Sequence, residues 1–530
     1  MEVNGVVLNM WVRDKLKIVN VICVMFVFGF EFAVYAESAI PNRYVVEVEF
    51  KTTADLEWLE DNGFSVDSVE GNKARVYIPV DALGLLEERG MYPTIVGYDP
   101  MPLEKTPPGY HNYAELTSAL QQLANDYTSL CRLMSLGQSV QGREIWALRI
   151  TDNPDIEEDE PEFKYISTIH GDEPVGTELC YLFAKLLLEN YETDPRIKFI
   201  VDEVSVWIVP LMNPDGREAV SRYNANGYDL NRSFPRYPEE LNAFYYDGGY
   251  PYLEGRQPEV YHIMRWSMDH NFSLSANFHT GSLVVNYPYD DDGGPSGVEA
   301  PTPDDALMKW IATQYAIHNP SMYSSSQFPG GITNGAAWYV VKGGMQDWNY
   351  RFLGCIEMTI ELFNTKFPSG TFIPSIWNSN RESMLSYLEC VLRGVRGLVY
   401  DRNTGEPIWA KILVKDNAQP VFSHPRVGNY HRLLLPGEYD LVCVKEGYIP
   451  YRIFGVVVED GLATRRDVPL SNGDVNNDGV VSEEDVDLVV NGALGLESES
   501  ITDVDGNGVS ASDIQAVLNV IEGRDIGLFP

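Results

Sequence analysis

The stretch that decides the fold is Phe163-Lys164-Tyr165-Ile166-Ser167-Thr168-Ile169-His170-Gly171-Asp172-Glu173, continued by the helical run Thr177 to Asn190. Phe163 to Ile169 is apolar and short enough for a buried strand, and it runs directly into the polar corner His170 to Glu173. Outward from it the same alternation recurs. Tyr113 to Tyr127 reads as a helix, Val204 to Val209 and Leu274 to Phe278 as strands, Met358 to Leu362 as a late strand, and Ser375 to Leu392 as a closing helix. Strands alternating with helices predict an α/β unit over 109–392: a mixed, mostly parallel sheet with helices on both faces. In such sheets ligands bind beyond the carboxyl ends of the strands.

The polar corner then carries the chemistry. His170 and Glu173 form an HxxE pair, a weak signal alone, since the spacing recurs by chance and by itself reads more often as a turn with a capped helix start. His279 ends the apolar run Ser273 to Phe278, so a second imidazole falls at the end of another strand. Two His and one Glu are a known ligand set for a catalytic zinc that keeps one position open. Zinc hydrolysis also needs a carboxylate to take a proton and pass it to the leaving amine. Glu361, in Met358-Thr359-Ile360-Glu361-Leu362, is the candidate, although alone it reads first as an ordinary strand-face carboxylate.

The flanks divide into further units. Arg13, Lys15 and Lys17 precede an apolar run from Ile18 to Val34, and Val34-Tyr35-Ala36 precedes Glu37, which reads as a secretory signal peptide over 1–36. That predicts a secreted chain with no membrane span after signal removal. Residues 42–98 read as a small α+β unit: strands at Tyr44 to Phe50 and Ala74 to Ile78, helices at Leu56 to Asn62 and Asp81 to Gly90. The Pro-bearing segment 99–108 reads as a linker. Residues 394–470 are short-stranded and turn-rich, as in a small β-sandwich. Residues 472–523 hold two Asp/Asn/Gly loops. In the first, Asp474, Asn476, Asp478, the Val480 carbonyl, Ser482 and Asp485 match a calcium loop; the second offers Asp503, Asp505 and Asn507, with Asp513 one residue early for the closing position. The five cysteines outside the signal are few and widely spaced, leaving room for one bridge and excluding a disulfide scaffold. A net charge of −38 argues against nucleic-acid or anionic-membrane binding.

The segments HGDEPVGTEL, VPLMNPDGREAVSRYNANGYDLNRSFP, NFHTGSLVVNYPYD, NGAAWYVVKGGMQDWNY and EMTIEL stand in the order found in zinc metallocarboxypeptidases, and the chain resembles their N/E subgroup over Tyr110 to Leu392. The resemblance implies that His170, Glu173 and His279 hold one zinc, that Asp229 orients a ligand imidazole, and that Glu361 is the general base. It further implies that Asn231 and Arg232 hold the terminal carboxylate of a peptide, Arg222 polarises the scissile carbonyl and Tyr339 covers the substrate. Asp290 and Gln346 would form the pocket for a C-terminal Lys or Arg, against the alternative that Asp290 faces solvent in the run Asp290 to Asp292. The chain departs from the subgroup at Asp172, where Asn is usual, and 42–98 resembles the propeptide of other carboxypeptidase branches. Residues 394–470 resemble the subgroup's transthyretin-like domain, and 472–523 a dockerin, which implies one or two structural calcium ions and a cohesin-type scaffold or cell-surface tether. Two rival functions remain: a zinc hydrolase of broader or cell-wall-peptide specificity, and a non-catalytic peptide-binding relative.

Overall fold

The computed structural model describes residues 42–100, 107–240, 250, 252–494, 496 and 502–522. The signal segment 1–36 lies outside the described residues. Among them, no helix is long and apolar enough to cross a membrane.

The N-terminal unit is a four-stranded antiparallel sheet of β1 (Arg43–Glu49), β2 (Ser65–Glu70), β3 (Lys73–Pro79) and β4 (Thr94–Asp99) in the order β2-β3-β1-β4. Its core holds Val46, Val48, Val76 and Ile78 against Leu56 and Leu59 of the helix Thr53–Asp61. The sequence reading missed β2 and β4. β2 carries the polar Ser65, Asp67 and Ser68, and β4 is an edge strand with exposed Ile95 and Val96, so neither shows a clean buried stripe. β4 also takes the first residue of the expected linker, because Asp99 pairs with Arg43.

The central unit is an eight-stranded mixed sheet. Its strands are β5 (Cys131–Gln138), β6 (Glu144–Ile150), β7 (Glu162–Ser167), β8 (Ser205–Val209), β9 (Phe272–His279), β10 (Leu283–Tyr287), β11 (Ile332–Asn334) and β12 (Ile356–Leu362), ordered β11-β10-β12-β9-β7-β8-β6-β5. β8, β7, β9 and β12 run parallel to one another; β10 pairs antiparallel with β12, β6 with β8, and β5 with β6. Every residue of β7, β8 and β9 is buried, which is why these strands were legible as apolar runs. On one face the helix Val175–Asn190 contributes Leu179, Phe183 and Leu187 to a core shared with the closing helix Ile373–Glu389. On the other face Trp207, Ile263 and Trp348 form a second core that includes the helix Pro258–Met268. Asn112 and Glu115 close a capping box at the start of the helix Tyr113–Asp126, whose Leu116, Leu120 and Leu123 face inward at helical spacing.

The C-terminal units follow. Strands β13 (Val395–Asp401), β16 (Asn429–Arg432), β19 (Thr464–Arg465) and β20 (Val468–Leu470) form one sheet; β14 (Lys411–Val414), β15 (Asn417–Phe422), β17 (Gly437–Val444) and β18 (Tyr451–Val458) form the other. They enclose one core that includes Val395, Ile412, Leu441 and Val456. Two helices, Glu483–Ala493 and Ala511–Glu522, follow the acidic loops and share Val489, Val504 and Val517 with Ile449 of the sandwich. Cys131, Cys180, Cys355, Cys390 and Cys443 are all free and buried, so the bridge left open by the sequence does not form among them.

Candidate active site

The topology puts the chemistry at one edge. His170 follows β7, His279 is the last residue of β9, and Glu361 of β12 pairs in register with His279. All three stand at the carboxyl ends of adjacent parallel strands, where a loop can face solvent while its strand stays fixed in the core. Gly171 is required by close approach: a Cβ there would stand 2.0 Å from the backbone of Gly216. The HGDE corner and the Asn213–Gly216 turn can pack only without a side chain at that point.

Glu173 is the hub. Its Oε1 lies 3.1 Å from Nδ1 of His170 and its Oε2 lies 2.9 Å from Nδ1 of His279. One ligand atom from each of the three residues falls within 4.8 Å of the others. Nε2 of His170 meets Oδ1 of Asp229 at 3.1 Å, which directs its Nδ1 inward. Nε2 of His279 is buried and has no hydrogen-bond partner. Two imidazoles whose Nδ1 atoms both face one carboxylate fit a divalent zinc. Burial would raise the carboxyl of Glu173, but Lys366 and the two imidazoles outweigh it and hold it well below the usual range. Burial and the Arg222 charge lower His170, yet Glu173 and Asp229 together raise it. Burial lowers His279, and although Glu173 raises it, the charges of His170 and Arg222 add to the lowering.

The cations form a second layer. Arg222 donates from Nε to Asp229 at 2.9 Å and from Nη1 to Asp67 at 2.9 Å. Arg232 points from the turn after Asp229 and meets Glu60. Asn231 accepts from the Met345 N–H at 3.0 Å, tying this turn to the GGMQD loop. Tyr339 donates to the Asp67 carbonyl at 3.0 Å. Glu361 accepts from the Ser282 N–H at 3.3 Å, and burial with the nearby charges of Glu173 and Asp67 pushes its carboxyl up to about 8.

Asp290 is 3% exposed and does not face solvent. Its Oδ1 accepts from Asn286 at 3.0 Å, and it lines the same cavity as Arg232, Tyr339 and Glu361. A Cβ at Gly335 would fall 1.9 Å from Asp290 Oδ1, so that glycine makes room for the carboxylate. Gln346 stands differently from the expectation. Its Oε1 accepts from the Thr359 N–H at 2.9 Å and it is not among the residues lining the cavity; Asn286 takes that place.

Four residues were not singled out as functional. Lys366 lies 2.9 Å from Glu173, and its Nζ is also close to Asp67 and Asp172. Asp172 has no exposure and accepts from Tyr77 at 2.8 Å, so the charge that replaces the usual Asn is compensated within the fold. Asp347 accepts the N–H groups of Asp290 and Asp291 at 2.9 and 3.0 Å and fixes the pocket carboxylate. Asp67 comes from the N-terminal unit, and nothing local in its strand points to this site.

In the C-terminal loops, Asp474 accepts from Asp478 and Gly479, and Asp485 closes the loop on Val475, Asn476 and Ser482. Asp513 does the same for the second loop, accepting from Val504, Asp505 and Ser510. The one-residue difference in spacing is therefore absorbed by the turn. Asp503, Asp505 and Asp513 bring three carboxylate oxygens together, whereas Asp474, Asp478 and Asp485 form no such group among the described residues.

The zinc carboxypeptidase family profile matches residues 116–383, half of the chain, and the chain belongs to that family. It is 39% identical over 390 residues to mouse carboxypeptidase D, across 70% of this chain and 28% of that one. It is 38% identical over 352 residues to carboxypeptidase SOL1 of Arabidopsis thaliana, covering 66% of this chain and 70% of that protein. It is 37% identical over 377 residues to the human carboxypeptidase N catalytic chain, covering 64% and 81%. The chain spans about a quarter of the length of the carboxypeptidase D relatives it matches.

Proposed function

We propose that this protein is a secreted zinc exopeptidase that releases Lys or Arg from the C-termini of peptides. The observation that carries the reading is the placement of a buried carboxylate, Asp290, in the cavity that also holds Arg232, Asn231, Arg222 and Glu361. Arg232, with its planar fork, and Asn231 bind the terminal carboxylate of the peptide. Asp290 pairs with the basic side chain that enters beside it, since an unpaired buried charge is strongly unfavourable. Tyr339 closes over the bound residue, and Arg222 donates to the oxygen of the scissile carbonyl as its charge grows. Glu361 takes a proton from water and returns it to the leaving amine. Zinc held by His170, Glu173 and His279 supplies Lewis-acid polarisation and acidifies water when bound.

Hydrolysis of peptides that differ only in the C-terminal residue tests this reading. Arg and Lys are expected to lead, and preferred release of Leu or Phe would overturn it. His279→Ala is expected to lose the metal and the activity together. Full zinc content and full turnover in that variant would remove His279 from the ligand set.

The remaining modules extend the proposal. The signal segment directs secretion, 394–470 is a transthyretin-like sandwich, and 472–523 is a dockerin-like module for a cohesin-type scaffold. Asp474 to Asp485 and Asp503 to Asp513 are its calcium loops, their carboxylates suited to a hard cation. Chelation of calcium is expected to reduce the helical circular dichroism of the whole chain and to open 472–523 to proteolysis, with zinc retained. An unchanged spectrum and cleavage pattern would remove calcium from the module.

A further inference from the structure

The carboxylate that the proposed reaction assigns to a basic side chain does not hold its own position. Asp290 and Asp291 donate their backbone N–H groups to Asp347 at 2.9 and 3.0 Å. Arg351 donates to the Asp291 carbonyl at 2.6 Å and lies over the ring of Tyr289. Asp347 and Arg351 belong to one segment, the helical turn Met345–Trp348 and its continuation Asn349–Leu353. On its inner side Gln346 and Asn349 tie this segment to β12, meeting the Thr359 N–H at 2.9 Å and the Glu357 carboxylate at 2.8 Å. Its other side rests on the C-terminal sandwich. Gln419 of β15 donates from Nε2 to the Tyr350 carbonyl at 2.8 Å. The Tyr350 hydroxyl donates to Asp304 at 2.8 Å. Asp304 in turn accepts from both terminal nitrogens of Arg432 of β16, at 2.7 and 3.1 Å, and from Asn417 at 2.7 Å. Gln419 and Arg432 are each only 1% exposed. The contact is close: a Cβ at Gly354 would stand 2.4 Å from the Pro420 carbonyl oxygen, and Phe422 enters the same apolar core as Trp348 and Leu353.

We infer that the sandwich supports the specificity pocket of the catalytic unit: Arg432 and Gln419 are positioning residues for Asp290, acting through Asp304, Tyr350 and Asp347. The inference rests on the pocket role proposed above for Asp290. Its physical basis is the geometry of the support. Two parallel hydrogen bonds between Arg432 and Asp304 fix an angle as well as a distance, and Asp304 passes that placement to the Tyr350 ring. A buried Tyr350 carbonyl deprived of Gln419 must find another donor, and the segment shifts to reach one. Displacement by about 1 Å from a remote site can cost up to about 10²-fold at the reacting groups. The ligand set and Glu361 stand on, or directly after, β7, β9 and β12, which the sheet itself holds. The effect therefore falls on binding of the basic side chain and not on the chemical step.

The test uses the zinc-loaded full chain with Arg- and Leu-terminated peptides. Gln419→Leu removes the donor to Tyr350 and keeps the Arg432–Asp304 pair; Arg432→Met removes the pair. Each is expected to raise KM for the Arg-terminated peptide roughly 10-fold, with kcat and the KM of the Leu-terminated peptide within about twofold of wild type. Arg432→Lys keeps the charge without the planar fork and is expected to recover part of the loss. Arg465→Met breaks a different contact between the same two units, with Asp159 ahead of β7, and is expected to change neither KM. Hydrogen exchange gives a readout that does not depend on turnover. The Asp290 and Asp291 amides are expected to exchange faster in Gln419→Leu, while those of β7 keep their wild-type rates. Where Arg432→Met does not fold, Gln419→Leu decides by the same measurements. Unchanged KM for the Arg-terminated peptide with unchanged exchange would overturn the inference and leave the peptidase reading in place. An equal loss on both peptides, or faster exchange throughout the catalytic unit, would reduce the contact to general stability and overturn it too. A wild type that prefers the Leu-terminated peptide would overturn the pocket reading, and the inference with it.

Discussion

Glu361→Gln is expected to keep the fold and the bound zinc and to lower kcat by ~10²–10⁴-fold, the usual contribution of a positioned proton-transfer group. Glu361 stands on β12 in register with His279, so its distance from the ligand set is fixed by strand pairing rather than by a flexible loop. Glutamine has the same shape and can still accept from the Ser282 N–H, but it cannot carry a proton. Burial and the neighbouring carboxylates already disfavour the charged form of Glu361, so the neutral amide costs the fold little. The measurement is kcat and zinc content of variant and wild type in the same processed state, with thermal melting as the check on folding. Turnover near wild type would exclude Glu361 from proton transfer.

Asp290→Ala is expected to cost Arg- and Lys-terminated peptides about 2–5 kcal/mol in kcat/KM, the range for truncating one partner of a buried charge pair. Leu- and Phe-terminated peptides should change little, and an equal loss on all four would refute the pocket assignment. A pH dependence accompanies this. Burial and the Asp347 charge hold the Asp290 carboxyl well above its ordinary range, and burial pushes Asp347 up to about 6 although Arg351 opposes it. A substrate guanidinium favours the ionised form of Asp290, so binding releases a proton from the pair. The sign follows: affinity for basic peptides is full above the titration of the free pair and is lost as pH falls through it. KM for the Arg-terminated peptide should therefore rise on acidification more steeply than KM for the Leu-terminated one. Parallel profiles for the two peptides would show that Asp290 does not meet the charge.

The legible parts of the sequence were those in which local chemistry and tertiary role coincide. β7, β8 and β9 are buried along their length and β12 at every residue but Glu361, so their apolar runs marked the middle of the sheet, and the polar residues at their ends marked the candidate ligand set. β5, β10 and β11 were missed because partial burial or brevity leaves no period to read. β6 alternates poorly around Arg149 and was missed for the same reason. Gln346 was placed in the pocket by its motif, yet a backbone N–H at Thr359 competes for its carbonyl oxygen, and hydrogen bonding within the core prevailed. Asp513 was set aside by counting residues, although a loop one residue shorter still returns its carboxylate to the same three kinds of backbone donor.

The sequence by itself determined the buried strands β7, β8, β9 and β12, the candidate set His170, Glu173 and His279 at their ends, and the acidic loops, because each depends on residues close together or on repeated apolar runs. Only the tertiary structure decided what stands opposite Arg222 and Arg232. Glu60 and Asp67 lie far from them in the chain, on a helix and a strand whose patterns report only their own small core. Charge pairing between distant segments leaves no period in a sequence; it exists only once two separately folded sheets meet and the carboxylates of one replace water around the cations of the other.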